Sequence, residues 1–103
     1  MLVLPTYTEG VPNVILEAMA SRLPVLTTPV GGIPSVATDE VNCVMVKPGD
    51  VAGLGAGICR LLRDDALCER LAAAGLREVS EKYGLEVVAD QVRQIYRRAL
   101  QAA

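Results

Sequence analysis

Two carboxylates bracket a Gly-Pro turn near the start of the chain, within the stretch YTEGVPNVILEAMA at residues 7–20. Glu9 precedes the turn, and Glu17 lies inside the apolar segment that follows it. A charge within an apolar stretch needs a polar partner. A carboxylate can accept hydrogen bonds from a vicinal diol, as acidic residues do from the ribose in dinucleotide sites. The two acids therefore predict contacts with a polyol, such as a sugar.

The turn between the acids is suited to an anion. A helix entered through Gly10, Val11, Pro12 and Asn13 points unpaired backbone N–H groups outward, and Gly10 allows a ligand to approach the backbone closely. Free amides at the positive end of a helix dipole favour phosphate. Glu17 follows Asn13 by four residues, on the same side of the helix and one turn deeper. The alternative is that both acids are ordinary solvated residues at a helix N-terminus.

Composition narrows the possible functions. The 103 residues include no His, and the net charge of −2 gives no basic field that would attract nucleic acid or an anionic membrane. Cys43, Cys59 and Cys68 are odd in number and lack metal-binding spacing, so we expect buried thiols in a reducing cytosol and no metal site. No apolar run reaches the roughly 18 residues of a membrane helix, and no signal peptide is evident. We expect a soluble, cytoplasmic protein.

Short apolar segments alternate with helical ones. MLVLP, LPVLTT and CVMVK indicate three buried strands, and a helix is predicted from Pro12 to about Ser21. PVGGIPSVATDEVN is a Gly/Pro-rich loop with room for one helical turn. Asp50 is a good N-cap for a second helix, in which three glycines each cost about 1 kcal/mol relative to alanine. A third helix begins near Asp64 or Asp65 and ends at Gly84, and a fourth follows it.

This order predicts an α/β fold: a partial Rossmann-like parallel sheet of about three strands, covered by helices, in a single domain over residues 1–103. Parallel sheets are normally covered on both faces, and no segment is obviously available for the second face. The chain therefore has the pattern of part of a domain.

The sequence resembles the retaining glycosyltransferases with the GT-B fold, known as group 1 or glycosyltransferase family 4. EGVPNVILEAMA is similar to their E-x7-E motif, and the similarity continues in order through LPVLTTPVGGIP, NCVMVKPGD and the helical segments that follow. The resemblance implies the second half of a GT-B C-terminal domain, the domain that binds a nucleotide-diphosphate sugar. The implied activity is transfer of a hexose to an acceptor with retention, with no cofactor and no metal required.

The resemblance also implies roles for individual residues. Glu17 would hold the ribose hydroxyls, and Glu9, the catalytic candidate, would contact the donor sugar near its anomeric centre. Donor-binding backbone amides would come from the residues around the turn: Gly10, Val11, Asn13 and Val14. The residues alone do not decide whether Glu9 is a nucleophile or only positions the sugar.

The resemblance places several parts of the enzyme outside this chain. These are the acceptor domain and the first half of the donor domain, including the Arg and Lys that neutralise the diphosphate. We therefore expect the chain alone to bind nucleotide-sugar poorly and not to turn over. The alternative function is a non-catalytic interaction module, or a subunit that needs a separately encoded acceptor domain. Either reading predicts self-association or pairing with a missing N-terminal domain. A related GT-B epimerase or phosphorylase is disfavoured by the position of the E-x7-E motif.

Overall fold

The computed structural model describes residues 1–6 and 13–102, apart from the side chains of residues 85, 87, 88, 91 and 102. Three parallel strands form one sheet in the order β1-β2-β3, and four α-helices surround it. This confirms the predicted α/β class and the three strands. The elements are β1 (Leu2–Leu4), α1 (Asn13–Ala20), β2 (Val25–Thr27), a 3-10 turn (Ile33–Ser35), β3 (Val44–Met45), α2 (Val51–Arg63), α3 (Asp65–Tyr83) and α4 (Leu85–Ala102).

The sheet is short and in strict parallel register. Leu2 pairs with Val25 and Leu4 with Thr27, while Leu26 pairs with Val44 on the other side of the central strand. Alternate residues of a strand point to opposite faces, so each strand supplies apolar side chains to both layers. The third strand is shorter than predicted, because only Val44 and Met45 pair within CVMVK.

The first face of the sheet is covered by α1 and the second half of α3. Ile15 and Met19 of α1 are completely buried there with Val25 of the central strand and Val79 of α3. Gly75 allows the two helices to approach, because a Cβ at this position would lie 3.0 Å from Cγ of Met19. This layer fixes α1, and with it Glu17, relative to the sheet.

The second face is also covered, so the prediction that it lacks cover is wrong. Leu26 and Val44 pack there against Leu61 of α2 and against Leu67 and Leu71 of α3. Sequence pattern missed this because α3 contributes to both layers: its first half covers the second face and its second half covers the first. A helix divided in this way has no single apolar stripe that marks its role.

The helix ends are formed by the residues that the sequence indicates. Asp50 accepts a hydrogen bond from the Gly53 N–H at 2.8 Å, which caps α2. Asp64 caps α3 in the same way, accepting from the Leu67 N–H at 2.9 Å. Gly84 ends α3 with a φ of 83°, a conformation that glycine adopts without the steric cost of a Cβ.

The prediction that the cysteines are buried holds for only one of the three. Cys43 is fully buried, and burial raises the pKa of its thiol to about 12. Cys68 is half-buried and Cys59 is exposed on α2. The spacing of Cys59 along α2 places it on the solvent side, which the count of cysteines alone does not reveal.

Two glycines of α2 should respond oppositely to alanine substitution. At Gly55 an added Cβ has no neighbour within 4 Å among the described residues, whereas at Gly57 it would lie 2.6 Å from Cδ1 of the buried Leu26. We expect Gly55→Ala to raise the free energy of unfolding by about 0.5–1 kcal/mol, because alanine favours helix. We expect Gly57→Ala to lower it by about 1–3 kcal/mol through overpacking. Urea unfolding followed by circular dichroism measures both, and equal stabilisation by the two variants would contradict the packing of α2 on Leu26.

Candidate functional site

The carboxyl ends of the three strands form one edge of the sheet, where ligands bind in open α/β folds. The Thr28 hydroxyl donates to the Thr6 carbonyl at 2.7 Å and accepts from the Thr6 N–H at 3.2 Å. The Thr27 hydroxyl donates to the Leu4 carbonyl at 3.0 Å. These contacts fix the chain at Thr6, the last described residue before α1. A cavity of about 200 Å³ lies at this edge, with Thr6, Thr28 and Lys47 in its lining.

The first two residues of α1 are exposed to solvent, whereas Ile15 is buried in the core. Asn13 is exposed and Val14 is 41% exposed. The backbone N–H groups of this turn have no intrahelical acceptor because of their position in the helix. Three predicted site residues, Glu9, Gly10 and Val11, lie outside the described residues, so their roles stay predictions.

Glu17 lies four residues, just over one helical turn, beyond Asn13, about 6 Å along the axis. Its side chain is only 17% exposed, although the residue is charged. Both carboxylate oxygens accept from one guanidinium: Arg98 Nη1 lies 2.9 Å from Oε2, and Arg98 Nη2 lies 3.1 Å from Oε1. The partner of Glu17 in this structure is therefore Arg98, and its predicted contact with a polyol stays a prediction.

A second cavity opens beside this pair. It has a volume of about 250 Å³ and is lined on the α1 side by Val14, Glu17 and Ser21, and on the α4 side by Ile95 and Arg98. The carboxylate of Glu17 can accept hydrogen bonds from hydroxyl groups. About one helical turn away, the backbone N–H groups at the start of α1 can donate to an anion. Among the described residues, no group of three or more metal-ligating side chains comes together.

Residues 1–64 match the family described as Glycosyl transferases group 1. The capsular polysaccharide biosynthesis glycosyltransferase CapM of Staphylococcus aureus is 32% identical over 97 residues, which make up 93% of this chain and 25% of CapM. The chain belongs to the group 1 glycosyltransferase family. A second relative is a glycogen synthase of Mycobacterium tuberculosis. It is 33% identical over 94 residues, which make up 91% of this chain and 23% of the synthase. The chain spans about a quarter of the length of these relatives.

Solved structures place this group 1 segment in the C-terminal domain of the GT-B fold. Sucrose-phosphate synthase of Thermosynechococcus elongatus superposes with a TM-score of 0.76 at 34% identity, over 98% of this chain and 25% of the synthase. A C-terminal domain of a group 1 protein from Francisella tularensis gives 0.72 at 29% identity, over 82% of this chain and 44% of that domain. The Anabaena protein HepE, solved with UDP and glucose, gives 0.72 at 25% identity, over 92% of this chain and 26% of HepE.

Arg98 is the site residue that the sequence analysis missed. It lies 81 positions after Glu17, so no local motif connects the two. A signal was nevertheless present: Arg98 follows Ile95 by three residues, which places it on the same side of α4 as this half-buried apolar residue. A cation on the packing side of a helix is itself evidence for a buried or half-buried acid nearby.

Proposed function

We propose that this chain supplies the donor-binding half-site of a group 1 enzyme that transfers a sugar from a nucleotide diphosphate with retention of configuration. Glu17 accepts hydrogen bonds from the ribose hydroxyls, and the amides of Gly10, Val11, Asn13 and Val14 face the diphosphate. Glu9 contacts the donor sugar near the anomeric centre. No metal takes part, because helix amides and cations from the rest of the enzyme carry the diphosphate charge.

The observation that supports this proposal is the position of Glu17. With Arg98 paired to it, the Glu17 side chain is 17% exposed. It lies beside a cavity, one turn inside a helix whose first two residues are exposed. An ordinary surface acid would be more exposed and would need no ion pair with a residue of another helix. The UDP and glucose bound to HepE identify the class of ligand to test.

Retention is tested in an enzyme in which the upstream portion is restored. The N-terminal part of a group 1 relative, such as CapM, is joined in front of this chain. We call this fusion protein the restored enzyme. With UDP-glucose as donor and water as acceptor, proton NMR follows the anomeric signal of the first glucose released. We expect the α configuration of the donor. Early release of β-glucose would contradict retention.

The chain alone is expected to be inactive and to bind nucleotides weakly. It spans about a quarter of the length of its relatives. In this proposal, the second cleft wall and the cations that face the diphosphate belong to the other three quarters. Each lost charge-assisted hydrogen bond costs about 1.5–3 kcal/mol. We expect dissociation constants for UDP and GDP no better than millimolar, measured by calorimetric titration, and no glucose transfer. A micromolar constant would show that the half-site is sufficient by itself.

An interaction module remains the second candidate, supported by apolar side chains on α4. Tyr96 is 68% exposed and Leu100 is 78% exposed, and no helix among the described residues is long and apolar enough to cross a membrane. Such side chains favour contact with another protein surface. We therefore expect a dimer or larger soluble species at micromolar concentration. Sedimentation velocity measures this, and a compact monomer at all concentrations would contradict self-association.

A further inference from the structure

Arg98 takes up the acceptor groups that a ribose would need. The guanidinium meets the carboxylate of Glu17 as a fork, with one N–H on each oxygen at 2.9 and 3.1 Å. The two hydroxyls of a vicinal diol would approach the carboxylate from the same direction, because they too donate one hydrogen bond to each oxygen. A cavity opens beside the pair, but the guanidinium already makes this two-point contact with the carboxylate, so a diol can make the same contact only after Arg98 has left. Arg98 and a ribose therefore compete for one carboxylate.

The helix that carries Arg98 is held less firmly than the rest of the fold. Val92 packs against the first core layer, and Ile95 is half-buried. None of the described α4 side chains is fully buried, whereas α1, α2 and α3 all contribute fully buried side chains to the core layers. The Arg98 side chain is itself 60% exposed. The end of α4 can therefore leave Glu17 without exposing the core beneath the sheet-covering helices.

We propose that α4 is a latch on the donor site: Arg98 occupies Glu17 in the empty chain, and a ligand with a ribose diol must displace it in order to bind. This inference rests on the proposed role of Glu17. Its consequence is that part of the weakness of nucleotide binding by this chain comes from the latch. Binding is reduced by the fraction of molecules in which the latch is open.

The test compares two neighbouring arginines in the 103-residue chain. Arg98→Gln removes the fork on Glu17, and Arg97→Gln removes the same charge from an exposed residue that makes no described ion pair. UDP and 2′,3′-dideoxy-UDP are titrated by NMR, which measures millimolar dissociation constants. Hydrogen exchange of the α4 amides gives an independent measure of how firmly the helix is held.

We expect Arg98→Gln to tighten UDP binding about two- to five-fold, the range for a partly exposed ion pair, and Arg97→Gln to change it little. Dideoxy-UDP should gain nothing from Arg98→Gln, because it lacks the competing hydroxyls. Exchange of the α4 amides should accelerate in Arg98→Gln only.

Three results would overturn the latch. Equal UDP binding by the unmodified chain and Arg98→Gln would show that Arg98 does not compete, with the donor site itself intact. An equal gain for dideoxy-UDP would show that Arg98 acts by charge and not through the diol. Unchanged α4 exchange would show that the pair does not hold the helix. Absence of UDP binding in every variant, with faster α4 exchange in Arg98→Gln, would instead overturn the proposed donor site, and the competitor role with it.

Discussion

Replacing Glu17 with alanine in the restored enzyme should weaken donor binding by about 1.5–3 kcal/mol, the range for hydrogen bonds to a charged group. This corresponds to roughly a 10- to 150-fold higher dissociation constant for UDP. The loss arises because the two ribose hydroxyls no longer have the carboxylate as a hydrogen-bond acceptor, and the half-buried pocket offers them no other acceptor. Calorimetric titration with UDP measures it.

Two further variants separate the roles of the acids. Glu9→Ala should lower kcat more than it lowers donor affinity, because its proposed partner is the reacting sugar. Glu81→Ala serves as the control, since Glu81 is an exposed acid on α3 away from the proposed site, and should change neither quantity. If Glu9→Ala and Glu17→Ala changed kcat and donor affinity as little as Glu81→Ala does, the two acids would be solvated residues at a helix N-terminus.

Replacing Leu71 with alanine should cost about 2–5 kcal/mol of unfolding free energy. Leu71 has no solvent exposure and packs in the second core layer with Leu26, Leu61 and Leu67. Its removal leaves a cavity between α3 and the sheet face that α2 covers. Urea unfolding of the 103-residue chain, followed by circular dichroism, gives the difference.

Leu62→Ala is the matched control. Leu62 lies on α2 next to the buried Leu61 but is 67% exposed, so its truncation should change stability by no more than about 0.5 kcal/mol. Similar small losses in both variants would mean that the second face of the sheet is not sealed by α2 and α3. The chain would then depend on another protein segment to complete its core.

Local patterns were enough to predict the elements of this fold. The apolar runs around Val3 and Leu26 gave two of the strands, and Asp50, Asp64 and Gly84 marked helix ends because each acts on its own turn of backbone. Capping and turn chemistry depend on residues within a few positions of one another, so they are visible in sequence.

The missed features that bear on the core and the site depend on contacts between distant segments. The second face of the sheet is covered by a helix that serves both layers, and Gly57 is small because α2 lies against Leu26. Arg98 reaches Glu17 across 81 positions. Local spacing can place Arg98 on the same side of α4 as Ile95, but it does not identify the distant partner, which follows from how the helices pack on the sheet.

In the proposed donor site, Glu17 binds the ribose diol of a nucleotide donor. The most direct measurement is the ratio of the dissociation constants of 2′,3′-dideoxy-UDP and UDP, determined for the restored enzyme and for its Glu17→Ala variant. We predict a ratio of at least about 10 for the restored enzyme and a ratio near 1 for the variant. Without the carboxylate, the two hydroxyls no longer contribute to the free energy of binding. The same ratio in both proteins would contradict the claim.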